Sequence, residues 1–331
     1  MSGPDERPVL VATEAADVTA DMVISELNRL GCPVTRFDPA DIGDGLTVSA
    51  RFGGPGAPVA GQLRTPSRTT DLGAVRSVYW RRPRWPDFGH LDESDARFAA
   101  AQVRYGLGGA LYALDGPVWV NHPLRVAAAE YKPAQLAAAA RLGLRVPPTL
   151  VTNDVTEARE FIRSHRDVIF KTLRWTPYER EGVGMTTWAE PVTADDLDET
   201  VGSAPHLFQA RVDKTADLRV LVAGEKEFAV RIDSGLLDWR KDYSALSYRV
   251  TDLSDDLSKA LRDCLGHFGL ASGSFDLALG RDGEPYWLEL NPNGQWGWLA
   301  RETGLPMATA FAELLAHGRG LTQIRQKPAT G

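Results

Sequence analysis

The chain has 331 residues, 43% of them hydrophobic and 24% charged, which are ordinary globular proportions. At about 150 residues per domain the length predicts roughly two domains; a chain this long buries a core without staples, which excludes a disordered protein and a disulfide-dense mini-scaffold. The balance of 37 basic against 44 acidic residues leaves a net charge of −7, and an acidic surface argues against a nucleic-acid coat or a polybasic membrane anchor.

The N-terminal stretch Met1-Ser2-Gly3-Pro4-Asp5-Glu6-Arg7 has no apolar run of the signal-peptide kind. No segment approaches the ~18 apolar residues that span a bilayer. Cys32 and Cys264 lack metal-ligand spacing; one disulfide is formally open to them, and two buried thiols in a reducing compartment is the preferred reading. The expectation is a soluble, cytoplasmic protein with neither a nucleic-acid nor a membrane partner.

In chain order, residues 8–13 form a short apolar run that predicts a buried strand. Residues 17–30 place Val18, Met22, Val23, Leu27 and Leu30 at helical spacing, and Gly31 stops the helix. Val34 to Phe37 make a second strand. This strand–helix–strand opening predicts a parallel α/β layer, without the Gly-x-Gly-x-x-Gly turn of a dinucleotide site. Residues 46–52 and 59–63 read as a polar-edged hairpin, 75–80 and 118–121 as strands, and 92–114 as a helix broken by Gly116-Pro117. The Ala-rich stretch 125–142 is helical and interrupted by Pro133. A strand over 146–151, a helix over 154–164 capped by Asn153 or Asp154, and a strand over 168–171 precede a polar loop, 172–187. Strands follow near 206–212, 218–223 and 227–232, a helix near 254–268, strands at 273–280 and 285–291, and a last helix near 306–316.

The most informative segment is 274–291. Asp282-Gly283 between alternating strands predicts a two-residue hairpin turn. With that turn Phe275 faces Leu290, Leu277 faces Leu288 and Leu279 faces Tyr286, one consistent apolar face. The other face opposes Asp276 to Glu289 and Ser274 to Asn291. Like charges directly opposed destabilise a sheet unless a proton or a cation lies between them. Two carboxylates and an amide oxygen form a hard-oxygen set suited to Mg²⁺, against the bland reading of two solvated carboxylates.

Lys171 ends the strand Val168-Ile169-Phe170-Lys171, and Lys132 precedes Pro133, a residue favoured at the first helical position. A lysine at a helix N-terminus adds to donors that already favour anions. Either lysine alone reads as merely solvated; with the carboxylate hairpin and the glycines at 182 and 184 they point to a triphosphate site. It is not a P-loop, because no Gly-x-x-x-x-Gly-Lys-Ser/Thr is present. Asp217-Leu218-Arg219 and Arg231-Ile232-Asp233 lie on successive strands, where arginine either blunts a sheet edge or grips phosphate or carboxylate in a fork.

The order Lys132, Lys171, Gln209-Ala210-Arg211-Val212, Asp217-x-Arg219, Arg231, Asp276, Glu289-x-Asn291 resembles the ATP-grasp carboxylate–amine/thiol ligases over residues 118–316. Tyr79-Trp80-Arg81-Arg82-Pro83, Asp217-Leu218-Arg219 and Asn291-Pro292-Asn293-Gly294-Gln295-Trp296 are similar to the actinobacterial branch of the maturases that make microviridin-type peptides, the graspetides.

The resemblance implies an α/β ATP-grasp fold: an N-terminal parallel α/β domain (1–117), a central α+β subdomain (118–208) with a lid loop (172–187), a C-terminal antiparallel-sheet α+β subdomain (209–318) and a tail (319–331). It implies ATP and Mg²⁺ as cofactors and a ribosomal precursor peptide, leader and core, as partner. Related maturases are often dimers. By resemblance Lys132, Lys171 and Lys214 hold the nucleotide, and the backbone from Gln209 through Ala210 and Arg211 to Val212 is the adenine hinge. Asp276, Glu289 and Asn291 hold the metal. Asp217 and Arg219 orient the peptide or its activated carboxylate, and Arg231 meets the γ-phosphate or acyl phosphate. The lid departs from the family's glycine-rich pattern with Leu173-Arg174-Trp175-Thr176-Pro177-Tyr178.

The implied reaction activates an Asp or Glu side chain as an acyl phosphate and closes an ester or amide ring. The alternatives are a ligase joining two small molecules, a nucleotide-binding module without chemistry, and a phosphotransferase. Trp80, Trp119, Trp188 and Trp287 read as core; Trp296 and Trp298 either wall a peptide channel or pack the last helix.

Overall fold

The structure is a computed structural model, and it describes residues 6–54, 59–174, 176, 178–180, 183–185 and 187–318. The expected tail, 319–331, and Trp175, Pro177 and Gly182 of the expected lid lie outside the described residues. The chain opens with β1 (Val9–Ala12), α1 (Val18–Arg29) and β2 (Val34–Phe37). Asp17 caps α1, its carboxylate accepting the N–H groups of Thr19 and Ala20. A small antiparallel sheet follows: β3 (Thr47–Phe52), β4 (Val59–Arg64) and β5 (Thr69–Asp71). Then come β6 (Ser77–Trp80), α2 (Glu93–Tyr112) and β7 (Val118–Val120). Strands β2, β1, β6 and β7 pair in that order, all parallel, as the opening pattern predicts.

The Ala-rich stretch divides into two helices, α3 (Pro123–Ala129) and α4 (Lys132–Arg141), each with proline near its start, where a missing N–H costs nothing. Next come β8 (Thr149–Thr152), α5 (Val155–Ser164) capped by Asp154, and β9 (Val168–Lys171). The segment read as a plain loop carries a two-stranded ribbon, β10 (Tyr178–Arg180) with β11 (Val183–Met185), and is followed by β12 (Glu190–Val192). With β13 (His206–Ala210) these complete an antiparallel sheet in the order β12-β9-β13-β8.

The remainder is β14 (Lys214–Ala223), β15 (Lys226–Asp233), β16 (Ser247–Thr251), α6 (Asp255–Phe268), β17 (Ser272–Gly280), β18 (Pro285–Asn291), α7 (Gly297–Thr303) and α8 (Met307–His317). The strands form one antiparallel sheet in the order β16-β15-β14-β17-β18. The short elements β5, β12, β16 and α7 have no expectation in the sequence reading, because three to seven residues carry too little periodicity.

Packing crosses the expected subdivisions. One face of the last sheet, with Leu218, Val220, Phe275, Leu277 and Leu290, packs on Val126 and Ala129 of α3, Ala139 of α4 and Leu261 and Leu265 of α6. Helices α3 and α4, assigned by sequence to the central subdomain, therefore bury their apolar sides on the C-terminal sheet. The opposite face changes character along β14. Leu221 joins a core with Val9 and Val11 of β1, Leu27 of α1 and Phe311 of α8, while Asp217 and Arg219, farther back on the same face, meet polar groups. The last helix thus shares its core with the N-terminal sheet.

The 274–291 hairpin follows the expected register only at its inner end. Ser274 opposes Asn291, Phe275 opposes Leu290 and Asp276 opposes Glu289, but Leu277 then pairs with Trp287 rather than Leu288. Leu288 is the extra residue of a β-bulge, and the connection spans Arg281 to Glu284, with Gly283 at φ 83°. The physical reason is area. The bulge turns Trp287 into the core, where it is 1% exposed, and an indole buries more apolar surface than the Leu288 side chain would.

Candidate active site

Between the central and C-terminal sheets lies a cavity of about 920 Å³. Its walls hold Lys132 at the start of α4, Lys171 at the end of β9, and Gln209 to Val212 at the end of β13. Lys214 and Asp217 of β14, Asp276 of β17, and Glu289 and Asn291 of β18 line it as well. The 172–187 segment contributes Thr172, Leu173, Arg174, Thr176 and Thr187, and Arg174 reaches the α3–α4 junction through an ion pair to Glu130 at 3.1 Å.

Each carboxylate of the opposed pair has its own cation. Arg219 grips Asp276 with one Nη1 donating to both oxygens, at 2.6 and 2.7 Å. Glu289 pairs with Lys132 and, at 3.4 Å, with Arg240. Lys132 and Arg240 hold the Glu289 carboxyl below its ordinary range, with Lys132 dominant. Burial pushes Asp276 up, with Arg219 opposing. The two groups are driven apart, as close like charges require.

Lys171 donates to Gln209 Oε1 at 2.7 Å, and Gln209 in turn donates to Thr149 Oγ1 at 2.8 Å. Burial pushes the Lys171 ammonium down to about 8, with Glu289 working against the fall. Lys214 Nζ lies 2.5 Å from Asp217 Oδ2 and donates to Leu237 O at 2.9 Å. Burial raises Asp217 to about 6 despite that lysine. In the stretch 209–212 the N–H groups of Ala210 and Arg211 are already donated, to Pro148 O and Asp167 O at 2.9 Å each.

Two expected residues stand elsewhere. Arg219 does not line the cavity; it lies behind Asp276, 6% exposed. Arg231 is not brought to the cluster. It opposes Leu218 across β14 and β15, so it faces the other side of the sheet from Asp217 and Arg219, and it bonds Asp233 at 2.9 Å. Side-chain alternation, period two, decides this, and Asp217 and Arg219 share a parity that puts Arg231 opposite the intervening leucine.

The sequence reading missed the segment after β15. Asp238, Trp239, Arg240 and Tyr243 all line the cavity, and Asp238 locks Arg240 through two bonds of 2.8 Å. Asp238-x-Arg240 repeats the Asp-x-Arg spacing of 217–219, which is the signal that was available. Trp296 is not a channel wall: it stacks on Phe311 of α8 at 5.0 Å and 9°. Trp298 packs against Trp239, Tyr243 and Tyr248. Trp80 and Trp287 are core, whereas Trp119 is half-buried and Trp188 lines the cavity.

The segment after β18 is held by residues that follow β6 and β7 of the parallel sheet. Arg81, 2% exposed, donates to Asn293 O at 2.7 Å and Gln295 Oε1 at 2.5 Å. Asn121 donates to Pro292 O at 3.0 Å and accepts from Ala271 N at 2.7 Å.

No protein-family model matches the chain, and no curated protein matches its sequence. Solved structures do. An ATP-grasp ligase of Chryseobacterium gregarium, described as RiPP-associated and in complex with ADP and a leader and core peptide, superposes with a TM-score of 0.86 over 93% of this chain and 96% of its own, at 28% identity. The macrocyclase MdnB of Microcystis aeruginosa MRC gives 0.79 over 94% and 100%, at 29% identity. MdnC of the same organism, bound with its precursor peptide MdnA, gives 0.83 over 93% and 98%, at 25% identity.

The fold is that of the RiPP-associated ATP-grasp ligases.

In ATP-grasp terms, the cavity lies between the antiparallel sheets β12-β9-β13-β8 and β16-β15-β14-β17-β18. The donor set fits a divalent cation that keeps phosphate and water ligands: two opposed carboxylates and an amide, all on one face of one hairpin. Among the described residues no group of three His, Cys, Asp or Glu side chains could hold a metal ion by itself. Cys32 and Cys264 are both buried and free. No helix among the described residues is long and apolar enough to cross a membrane.

Proposed function

We propose that this protein is an ATP-dependent peptide macrocyclase that activates Asp or Glu side chains of a ribosomal precursor peptide and closes ester or amide crosslinks. The observation that carries the reading is the convergence of Asp276, Glu289 and Asn291 with Lys132, Lys171 and Asp217 around one cavity. The size of that cavity, about 920 Å³, suits a nucleotide with a peptide side chain beside it.

In the first step an oxygen of the peptide carboxylate attacks the γ-phosphorus of ATP and ADP leaves. In the second, a hydroxyl oxygen or amine nitrogen of the same peptide attacks the acyl carbon, loses its proton and displaces phosphate, so each ring removes one water from the peptide. The protein's share is positioning and charge. Lys132 and Lys171 meet phosphate oxygens. Burial has stripped Lys171 of solvent and lowered its pKa, and an incoming phosphate replaces that lost solvation and raises the pKa again. With Ala210 and Arg211 already donating within the protein, Val212 is the N–H for the purine edge, and the Ala210 and Arg211 carbonyls are its acceptors. Asp276, Glu289 and Asn291 would hold Mg²⁺, which would supply neutralisation of phosphate charge.

Asp217 orients the attacking hydroxyl or amine. Arg219 sets the orientation of Asp276, and Arg240 takes the place the sequence reading gave to Arg231, facing the charge that builds on the transferred group. An acyl phosphate exposed to water hydrolyses, so the 172–187 segment is the lid, and Arg174 with Glu130 is one of its latches.

Three finer points belong to the same reading. The partner is a leader-and-core precursor peptide, the compartment is the cytoplasm, and the assembly is a homodimer. The family resemblance is the support for the homodimer, and sedimentation velocity tests it.

Co-expression with a neighbouring short reading frame rich in Thr, Glu and Asp, followed by mass spectrometry, tests the function. Loss of one or more waters, reversed by mild base, supports ester macrocycles; water losses that resist base mark amide rings. An unchanged peptide, with ATP turnover stimulated by a free amino acid, overturns the macrocyclase in favour of a small-molecule ligase. Glu289→Gln abolishes turnover in this scheme, and an active Glu289→Gln enzyme removes the metal assignment.

A further inference from the structure

The strand that carries Glu289 and Asn291 is the outer strand of its sheet. Outer strands present backbone groups with no neighbouring strand to pair them. At the outer end of β18, Trp287 N–H donates to Arg145 O at 2.8 Å. At the inner end, one side chain does the work of a strand. Leu290 N–H donates to Gln135 Oε1 at 3.0 Å, and Gln135 Nε2 donates back to Leu290 O at 2.8 Å. The same Nε2 donates to Ala129 O at 2.5 Å. The amide therefore spends both of its donor hydrogens and an acceptor site on main chain, and it is 2% exposed.

The position is specific. Leu290 stands between Glu289 and Asn291, and its own side chain is anchored in the core at 3% exposure. Lys132, one turn earlier on α4, pairs with Glu289, and residues three apart share a helix face. One helix thus holds the charge of Glu289 through Lys132 and the backbone that bears it through Gln135. The bulge at Leu288 lies next to this segment, and bulges disrupt the ladder locally, so the backbone there has fewer strand bonds to fix it.

We infer that Gln135 is a positioning residue: its two-way bond to Leu290 sets the rotation of the β18 backbone so that Glu289 and Asn291 face Asp276 at a spacing one divalent cation can bridge. The inference rests on the metal assignment made above. Glutamine is required by the donor count. Glutamate at 135 keeps the acceptor for Leu290 N–H but leaves the carbonyls of Leu290 and Ala129 without their donor, and it adds a negative charge near the carboxylate pair. Methionine keeps the shape and removes all three bonds.

The test is a Mg²⁺ titration of nucleotide binding to the full chain, read by fluorescence of a mant-ADP probe, for wild type, Gln135→Met and Gln135→Glu. A Mg²⁺ midpoint raised about tenfold in Gln135→Met is expected, with the Mg²⁺-free affinity for the probe unchanged. A midpoint shifted less than threefold overturns the inference. So does a Mg²⁺-free affinity that falls by the same factor as the midpoint, because the whole cavity is then disturbed. If Gln135→Met does not fold, Gln135→Glu carries the same measurement and the same thresholds; if neither folds, Gln135 is a structural residue and the positioning role falls. A wild-type protein whose probe binding ignores Mg²⁺ overturns the metal assignment itself, an outcome distinct from a Mg²⁺-dependent wild type with an indifferent variant.

Discussion

Gly294 offers a sharp test of how the site is packed. A Cβ built on it lies 2.6 Å from Ser274 Oγ, 2.7 Å from Ser274 Cβ and 2.9 Å from Arg219 Nη2, where ordinary contact begins at 3.4 Å. Its backbone is not in the left-handed region, so alanine meets no conformational penalty and the cost is steric alone. Neither neighbour yields freely. Ser274 is 1% exposed in the middle of β17, two residues from Asp276, and Arg219 is tied to Asp276 by two bonds and to Gln295 O by a third at 3.3 Å. Overpacking of this kind costs about 1–3 kcal/mol. The same displacement moves Arg219 and with it Asp276, so turnover of precursor falls about tenfold or more, one decade for each ~1.4 kcal/mol of transition-state stabilisation lost.

Urea unfolding gives the first quantity, and mass-spectrometric turnover of the precursor gives the second. Ser274→Gly in the Gly294→Ala background removes both serine contacts and restores part of each loss; a double-mutant cycle then shows a coupling of about 1 kcal/mol or more. A Gly294→Ala protein that unfolds at the wild-type urea concentration and turns over within twofold of wild type refutes the close approach on which this reasoning depends.

Lys171→Met weakens ATP binding about tenfold or more by calorimetry, since a cation within a desolvated cavity is lost. Because burial lowers Lys171 from 10.5 to about 8, the unfolded chain binds more protons between those values, and wild-type stability rises with pH across that window. Lys171→Met lacks that rise; an unchanged slope removes the burial argument. Asp217 has the opposite sign. Its folded value of about 6 exceeds the ordinary 3.8, so its contribution is full below about 4 and is lost as pH climbs through 6. Urea midpoints of wild type relative to Asp217→Asn therefore fall over that range, and parallel curves contradict the assignment. Trp296→Ala costs about 3–5 kcal/mol by loss of a buried indole stacked on Phe311, and a loss under 1 kcal/mol restores the channel-wall alternative.

Much of the molecule is legible in its sequence. Local pattern sufficed where burial has a strict period: the apolar run Val9–Ala12 with the helix behind it, the Pro133 break, the Asp154 cap, and the pairing of Asp276 with Glu289. What failed did so for physical reasons of longer range. The hairpin register slipped at Leu288 because a core on the far side, built by α3, α4 and α6, takes the larger Trp287. Arg231 is assigned to the phosphate by family resemblance, while strand pairing turns it to the face opposite Asp217 and Arg219. Asp238 and Arg240 escaped notice because an irregular segment has no period to read, and only its packing carries it into the cavity wall.

By itself, then, the sequence determined the residue chemistry: two opposed carboxylates with an amide, lysines at a helix start and a strand end, and alternating strands to bear them. These follow from turn residues, periodicity and charge, all properties of neighbours along the chain. Tertiary structure alone decided which cation serves which carboxylate, Arg219 for Asp276 and Lys132 for Glu289. It also decided that side chains from the N-terminal half, Arg81, Asn121 and Gln135, grip the backbone from Leu290 to Asn293 and the Gln295 side chain. Those bonds join residues more than a hundred positions apart. They form because buried carbonyl and N–H groups must find partners wherever the packing of helix on sheet brings them, and no local pattern encodes which partner that will be.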